Sequence, residues 1–111
     1  MEQKFSKVTQ EKIAELQMMQ QRLSLFSGQK QQFQIQMAEV ENALAEISNA
    51  KPPVYKMVGE IMIEKNLDEL KNELQEKKVE LDIRIKSLEK QESKAKEQAL
   101  ALQKEISAEL K

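Results

Sequence analysis

The charged residues are the side chains of this chain that could do chemistry, because its 111 residues include neither cysteine nor histidine. The commonest nucleophile, general base and soft metal ligands at neutral pH are therefore missing. Paired glutamates on bundle helices can hold two metal ions, but such sites also use a Glu-x-x-His motif. We therefore predict that the protein is not an enzyme, and we predict no catalytic, cofactor-binding or metal-ligating residue.

The charges fall instead in mixed runs of acids and bases, such as 73–80 and 89–96. At helical spacing these runs offer many i,i+4 pairs worth about 0.3–0.5 kcal/mol each, so we interpret them as solvated helix faces. Eighteen basic and 19 acidic residues give a net charge of −1. This balance lacks the basic surplus that binding to nucleic acid or to an anionic membrane requires, so we expect neither partner.

Membrane insertion and secretion are not expected either. No stretch approaches the ~20 apolar residues that span a bilayer, and Met1–Phe5 lacks the apolar core of a signal peptide. We expect a cytoplasmic protein.

The elements that carry these charges follow from apolar residues spaced alternately three and four apart, which is the pattern of a coiled-coil seam. It predicts one helix over about residues 5–49 and a second over about 67–110, with Asn66 as N-cap of the second. The first seam comprises Leu16, Met19, Leu23, Phe26, Phe33, Met37, Val40, Leu44 and Ile47. The second comprises Leu67, Leu70, Leu74, Leu81, Ile85, Leu88, Ala95, Ala99, Leu102, Ile106 and Leu110.

One residue breaks the first seam. Lys30 stands where the spacing calls for an apolar side chain, two residues after Gly28, which costs about 1 kcal/mol inside a helix. Such a lysine either fixes the register of the two helices or extends past its neighbours to keep its charge in water. We expect the second.

A short apolar segment, Val54–Ile63, separates the two helical patterns. Pro52 and Pro53 cannot continue a helix, and Gly59-Glu60 fits a two-residue type II′ turn, which predicts a β-hairpin over about residues 54–64. In that register, to which a shift of one residue is the alternative, Val58 pairs with Ile61, and apolar side chains cover both faces. A lone hairpin of this kind needs further strands, and other chains must supply them.

The predicted fold is therefore mainly α: an antiparallel two-helix coiled coil whose helices are joined by one central β-hairpin, in a single domain over residues 1–111. The antiparallel arrangement follows if the hairpin reverses the chain. The two ends of the chain, near Phe5 and Leu110, then lie at one tip.

The run Val54-Tyr55-Lys56-Met57-Val58-Gly59-Glu60-Ile61-Met62-Ile63 between two long coiled-coil helices resembles the β class of prefoldin subunits. The segment Ser87-Leu88-Glu89-Lys90-Gln91-Glu92 resembles the same class. A single hairpin also favours the β class, because α-class subunits carry two. The resemblance covers nearly the whole chain.

The resemblance implies a hetero-hexamer of two α-class and four β-class subunits, assembled through the hairpins. It implies an ATP-independent molecular chaperone that captures non-native polypeptides at its coiled-coil tips and delivers them to a group II chaperonin. The implied assembly hairpin comprises Val54, Tyr55, Met57, Val58, Gly59, Ile61, Met62 and Ile63. The implied client-binding tip comprises Phe5, Val8, Ile13, Leu102, Ile106 and Leu110. The alternative role of Phe5, Val8, Ile106 and Leu110 is to close the seam between the two helices.

Two other classes of protein are compatible with long paired helices. One is a passive coiled-coil spacer or tether that binds no clients, although a spacer needs no β segment with two apolar faces. The other is a nucleic-acid-binding helical arm, which the net charge and the scarcity of aromatic residues disfavour.

Overall fold

The computed structural model describes residues 6–110 and contains four elements. Helix α1 covers Lys7–Ser48, strand β1 Val54–Val58, strand β2 Ile61–Lys65, and helix α2 Leu67–Glu109. The predicted fold class, two long helices joined by one antiparallel hairpin, is confirmed. Neither helix, over the described residues, has an apolar stretch long enough to cross a membrane.

Side-chain caps define where the helices begin. The Ser6 hydroxyl accepts a hydrogen bond from the backbone N–H of Thr9 (3.0 Å) and so caps α1. The Asn66 side chain accepts from the N–H groups of Asp68 (2.9 Å) and Glu69 (3.2 Å), as its predicted role as N-cap of α2 requires. Asp68 and Glu69 also place negative charge in the first turn, where the helix dipole favours it.

The hairpin has the predicted register. Lys56 lies opposite Ile63, Met57 opposite Met62, and Val58 opposite Ile61. Gly59 adopts a φ of 62°, and no other residue among those described has a positive φ. A type II′ turn needs a positive φ only at its first central position, so the glycine at that point determines where the chain reverses.

Contacts divide the chain into two units, which we call the terminal unit and the hairpin unit. The terminal unit comprises Met1–Gln31 and Lys86–Lys111. Its two helical segments run antiparallel, since Lys12 contacts Glu105 and Glu109 whereas Lys30 contacts Glu92. Within residues 6–31 and 86–110, its buried apolar residues all lie on the predicted seam of α2: Leu88, Ala95, Ala99, Leu102 and Ile106.

The hairpin unit comprises Gln32–Ile85 and includes both strands. Its buried apolar residues are also predicted seam residues: Val40, Ile47, Leu70, Leu81 and Ile85. The Arg84 guanidinium lies 5.6 Å from the centre of the Phe33 ring and 3.0 Å from the Glu80 carboxylate, so it covers the edge of this seam.

Candidate functional site

The hairpin is the most exposed apolar part of the hairpin unit. Of its ten strand residues only Val54 and Lys65 are half-buried, and the other eight are exposed. The exposed group includes six large apolar side chains: Tyr55, Met57, Val58, Ile61, Met62 and Ile63. Exposed apolar surface of this density marks an interaction site, because water solvates it poorly.

The register places these side chains on two different faces. Val58, Ile61 and Ile63 share one face, and Tyr55, Met57 and Met62 share the other. A strand pair that packs on one side only would have a polar second face. The hairpin is therefore suited to burial on both sides, as in the interior of a larger sheet or barrel.

An open groove of about 1300 Å³ adjoins the hairpin within the same unit. Side chains from α1, both strands and α2 line it, among them Val40, Ile47, Tyr55, Met62 and Leu74. Lys77, in the gap of the predicted α2 seam, also lines the groove. Lys77 thus interrupts the line of apolar side chains beside this groove.

The residues predicted to bind clients differ in exposure. Val8 is 55% exposed and Leu110 is 45% exposed, so both present apolar surface at the ends of the helices. Ile13 is half-buried, and Leu102 and Ile106 are buried in the seam of the terminal unit. Phe5 lies outside the described residues. A client-binding role for this set stays a prediction.

A polar cluster that the sequence analysis missed joins the same helix ends. Buried Thr9 donates a hydrogen bond to Glu109, and Lys12 Nζ lies 2.6 Å from the other carboxylate oxygen of Glu109. Lys12 is also 3.5 Å from Glu105. Hydrogen bonds from Lys12 and then Thr9 hold the pKa of Glu109 below its usual 4.5, and the Glu109 hydrogen bond raises the pKa of Lys12 above 10.5.

A second polar contact crosses the middle of the terminal unit. Glu92 is only 8% exposed and occupies the seam position between Leu88 and Ala95, and its Oε1 lies 2.7 Å from Lys30 Nζ. At this distance the Glu92 carboxylate and the Lys30 ammonium form an ion pair, and the hydrogen bond with Glu92 raises the pKa of Lys30.

Lys30 therefore corrects the sequence-based expectation. Its charge does not simply extend into water but meets a carboxylate that is buried in the seam of the opposite helix segment. The signal for Glu92 was present in the chain, since steps of four from Leu88 and three to Ala95 continue the heptad spacing. A pattern built from apolar residues alone does not include it.

Among the described residues no cluster of three or more acidic side chains could hold a metal ion.

Comparison with known proteins agrees with this architecture. The family model described as prefoldin subunit matches residues 10–111. The chain is 35% identical to the prefoldin subunit beta of Archaeoglobus fulgidus over 85% of this chain and 83% of that protein. It is 35% identical to the same subunit of Thermococcus kodakarensis, over 89% and 86% of the two chains.

A solved structure is similar over nearly the same length. The crystal structure of the prefoldin beta subunit from Thermococcus strain KS-1 is 33% identical, with a TM-score of 0.86 over 96% of each chain. Two long helices with an intervening hairpin define a prefoldin-type fold. The chain belongs to the prefoldin family, and the resemblance to its β-class subunits is confirmed.

Proposed function

We propose that this chain is the β-class component of a hetero-hexameric, ATP-independent chaperone in the cytoplasm. The observation that carries the proposal is the hairpin with exposed apolar side chains on both faces. Burying them against strands of α-class and other β-class subunits, in an α₂β₄ hexamer, removes this surface from water and completes the sheet. Family membership supports the same arrangement.

The client-binding part of the proposal rests on the helix ends. Val8 and Leu110 expose apolar surface in the terminal unit and are available to a non-native polypeptide without any rearrangement. Apolar contact has no directional requirement, which suits clients that lack a fixed shape. Leu102 and Ile106 become available only where the two helix segments separate. Delivery of the client to a group II chaperonin belongs to the same proposal.

The first experiment measures assembly and protection together. Light scattering determines the mass of the chain alone and mixed with an archaeal α-class prefoldin subunit, and the mixture is tested for suppressing aggregation of a denatured enzyme. We expect a defined hexamer that protects. A chain that neither joins the α-class subunit nor protects the enzyme would instead be a passive coiled-coil spacer.

A second experiment tests the client surface. The exposed parts of Val8 and Leu110 correspond together to about 1.5–3 kcal/mol if they become fully buried, so V8S/L110S should weaken client capture by up to about 10- to 150-fold. The control is V79S, because Val79 is equally exposed but belongs to the hairpin unit. A V8S/L110S hexamer that protects as well as the unmodified one would exclude these residues as the client surface.

A further inference from the structure

Two lysines of the hairpin share one acidic partner on α2. Lys56 of β1 lies opposite Ile63, and Lys65 of β2 lies opposite Val54, so the two lysines are diagonal neighbours on one face. Lys56 Nζ is 3.3 Å from Oε2 of Glu73, and Lys65 Nζ is 3.1 Å from its Oε1. One carboxylate therefore bridges both strands of the hairpin to the helix that follows.

The Glu73 carboxylate offsets the electrostatic repulsion between Lys56 and Lys65. Long side chains at diagonal positions of a strand pair come within reach of each other, and two like charges there are unfavourable. Glu73 supplies the opposite charge between them. The hydrogen bonds from Lys65 and then from Lys56 hold its pKa below the usual 4.5, so the carboxylate is ionised at neutral pH.

Apart from these ion pairs, few contacts fix the orientation of the hairpin relative to the helices. Apart from half-buried Val54 and Lys65, its strand residues are exposed, so apolar packing within the unit does not hold them in place. A single ion pair would leave the hairpin free to rotate about it, whereas contacts on both strands restrict rotation and tilt. Glu73 is also close to the hairpin, about 9 Å along the helix from Leu67.

We propose that Glu73 is a positioning residue, which holds the hairpin at one angle to α2 and so prepares it for pairing with neighbouring subunits. This inference rests on the proposed role of the hairpin in assembly. A surface that is already oriented loses less conformational freedom on binding, so assembly is tighter. Because the contacts are ionic and partly exposed, salt weakens the positioning.

The test compares E73Q with E76Q. Both remove one negative charge from neighbouring turns of α2, but Glu76 makes no ion pair with any residue in the described range. Nitroxide labels attached at E60C in the hairpin turn and at Q75C on α2 report the angle of the hairpin to α2 by pulsed electron paramagnetic resonance. Labelling is confined to these two sites because the chain has no native cysteine. We expect E73Q to broaden the distance distribution and E76Q to leave it narrow.

Assembly provides the functional readout. Titration with the α-class subunit should show E73Q binding about two- to fivefold more weakly than the unmodified chain at low salt, with the difference vanishing at high salt. The charge-exchanged variant K56E/K65E/E73K should restore both the narrow distribution and the affinity. Restoration distinguishes positioning by charge from a merely structural need for glutamate at this place.

Two failures can be told apart. A narrow distribution and unchanged assembly in E73Q would overturn the role of Glu73. Failure of the unmodified chain to bind the α-class subunit would overturn the proposed function, and the label distances, which need no partner, would still decide whether Glu73 orients the hairpin.

Discussion

Replacing Ile61 by aspartate measures how strongly assembly depends on the exposed hairpin. Ile61 is 65% exposed, and burying a whole isoleucine side chain contributes about 1.5–3 kcal/mol, so its exposed part represents about 1–2 kcal/mol in each copy of the chain. That loss alone weakens association about 5- to 30-fold. A carboxylate forced into the same apolar contact costs several kcal/mol more, so I61D should weaken assembly at least about a hundredfold.

The control for this prediction is I83D. Ile83 is 62% exposed on α2, so the same side chain is replaced by the same charge at nearly the same exposure, away from the hairpin. Neither change should alter the free energy of unfolding of the isolated chain by more than about 1 kcal/mol, because both sites are exposed.

The assay combines light scattering of the mixture with an α-class subunit and circular dichroism of the free chain. We expect I61D to keep its helix content and to remain unassembled, whereas I83D assembles normally. An I61D chain that assembles within about fivefold of the unmodified affinity, a difference of about 1 kcal/mol, would refute the proposed burial of this hairpin face.

Three further predictions concern the helices; thermal or denaturant unfolding measures the change in stability in each, and the third also needs label distances. L81A should cost about 2–5 kcal/mol because Leu81 is buried, whereas L100A at an exposed position should change little; equal effects would contradict the seam. Because folding lowers the pKa of Glu109, its ionised carboxylate stabilises the fold fully above about pH 4.5, and this stabilisation is lost as the pH falls through the folded-state pKa. E109Q should therefore make Tm depend less on pH below about 4.5. K30L/E92L should raise Tm but broaden the distribution of distances between nitroxide labels placed on the two helices, on either side of the seam. A narrow distribution would exclude a role of the Lys30–Glu92 pair in fixing the register of the helices.

The Lys30–Glu92 contact illustrates why a pair of one half-buried and one buried charge can persist at a seam. Leucine at both positions would continue the apolar stripe and pack without any desolvation cost. A uniform apolar stripe, however, allows the two helices to shift by one heptad, about 10 Å, with similar packing. Because Lys30 meets Glu92 in only one register, the pair disfavours the shifted alternatives.

Local information accounts for the parts of the fold that were predicted correctly. Apolar spacing of three and four selects the buried residues of a helix, and the prolines at 52 and 53 end the first helix. Gly59 locates the turn, and the two-residue side-chain period of a strand then determines which hairpin residues share a face. Each of these signals lies within a few residues along the chain.

The sequence by itself therefore determined two amphipathic helices, a hairpin with two apolar faces and its register, since backbone geometry converts local spacing directly into these features. Only the tertiary structure decided which polar side chains meet: Lys30 with Glu92, Lys12 and Thr9 with Glu109, and Glu73 with both hairpin lysines. It also decided that Val8 and Leu110 are exposed while Ile106 is buried. Such pairings depend on the alignment of distant segments, which exists only once the helices pack.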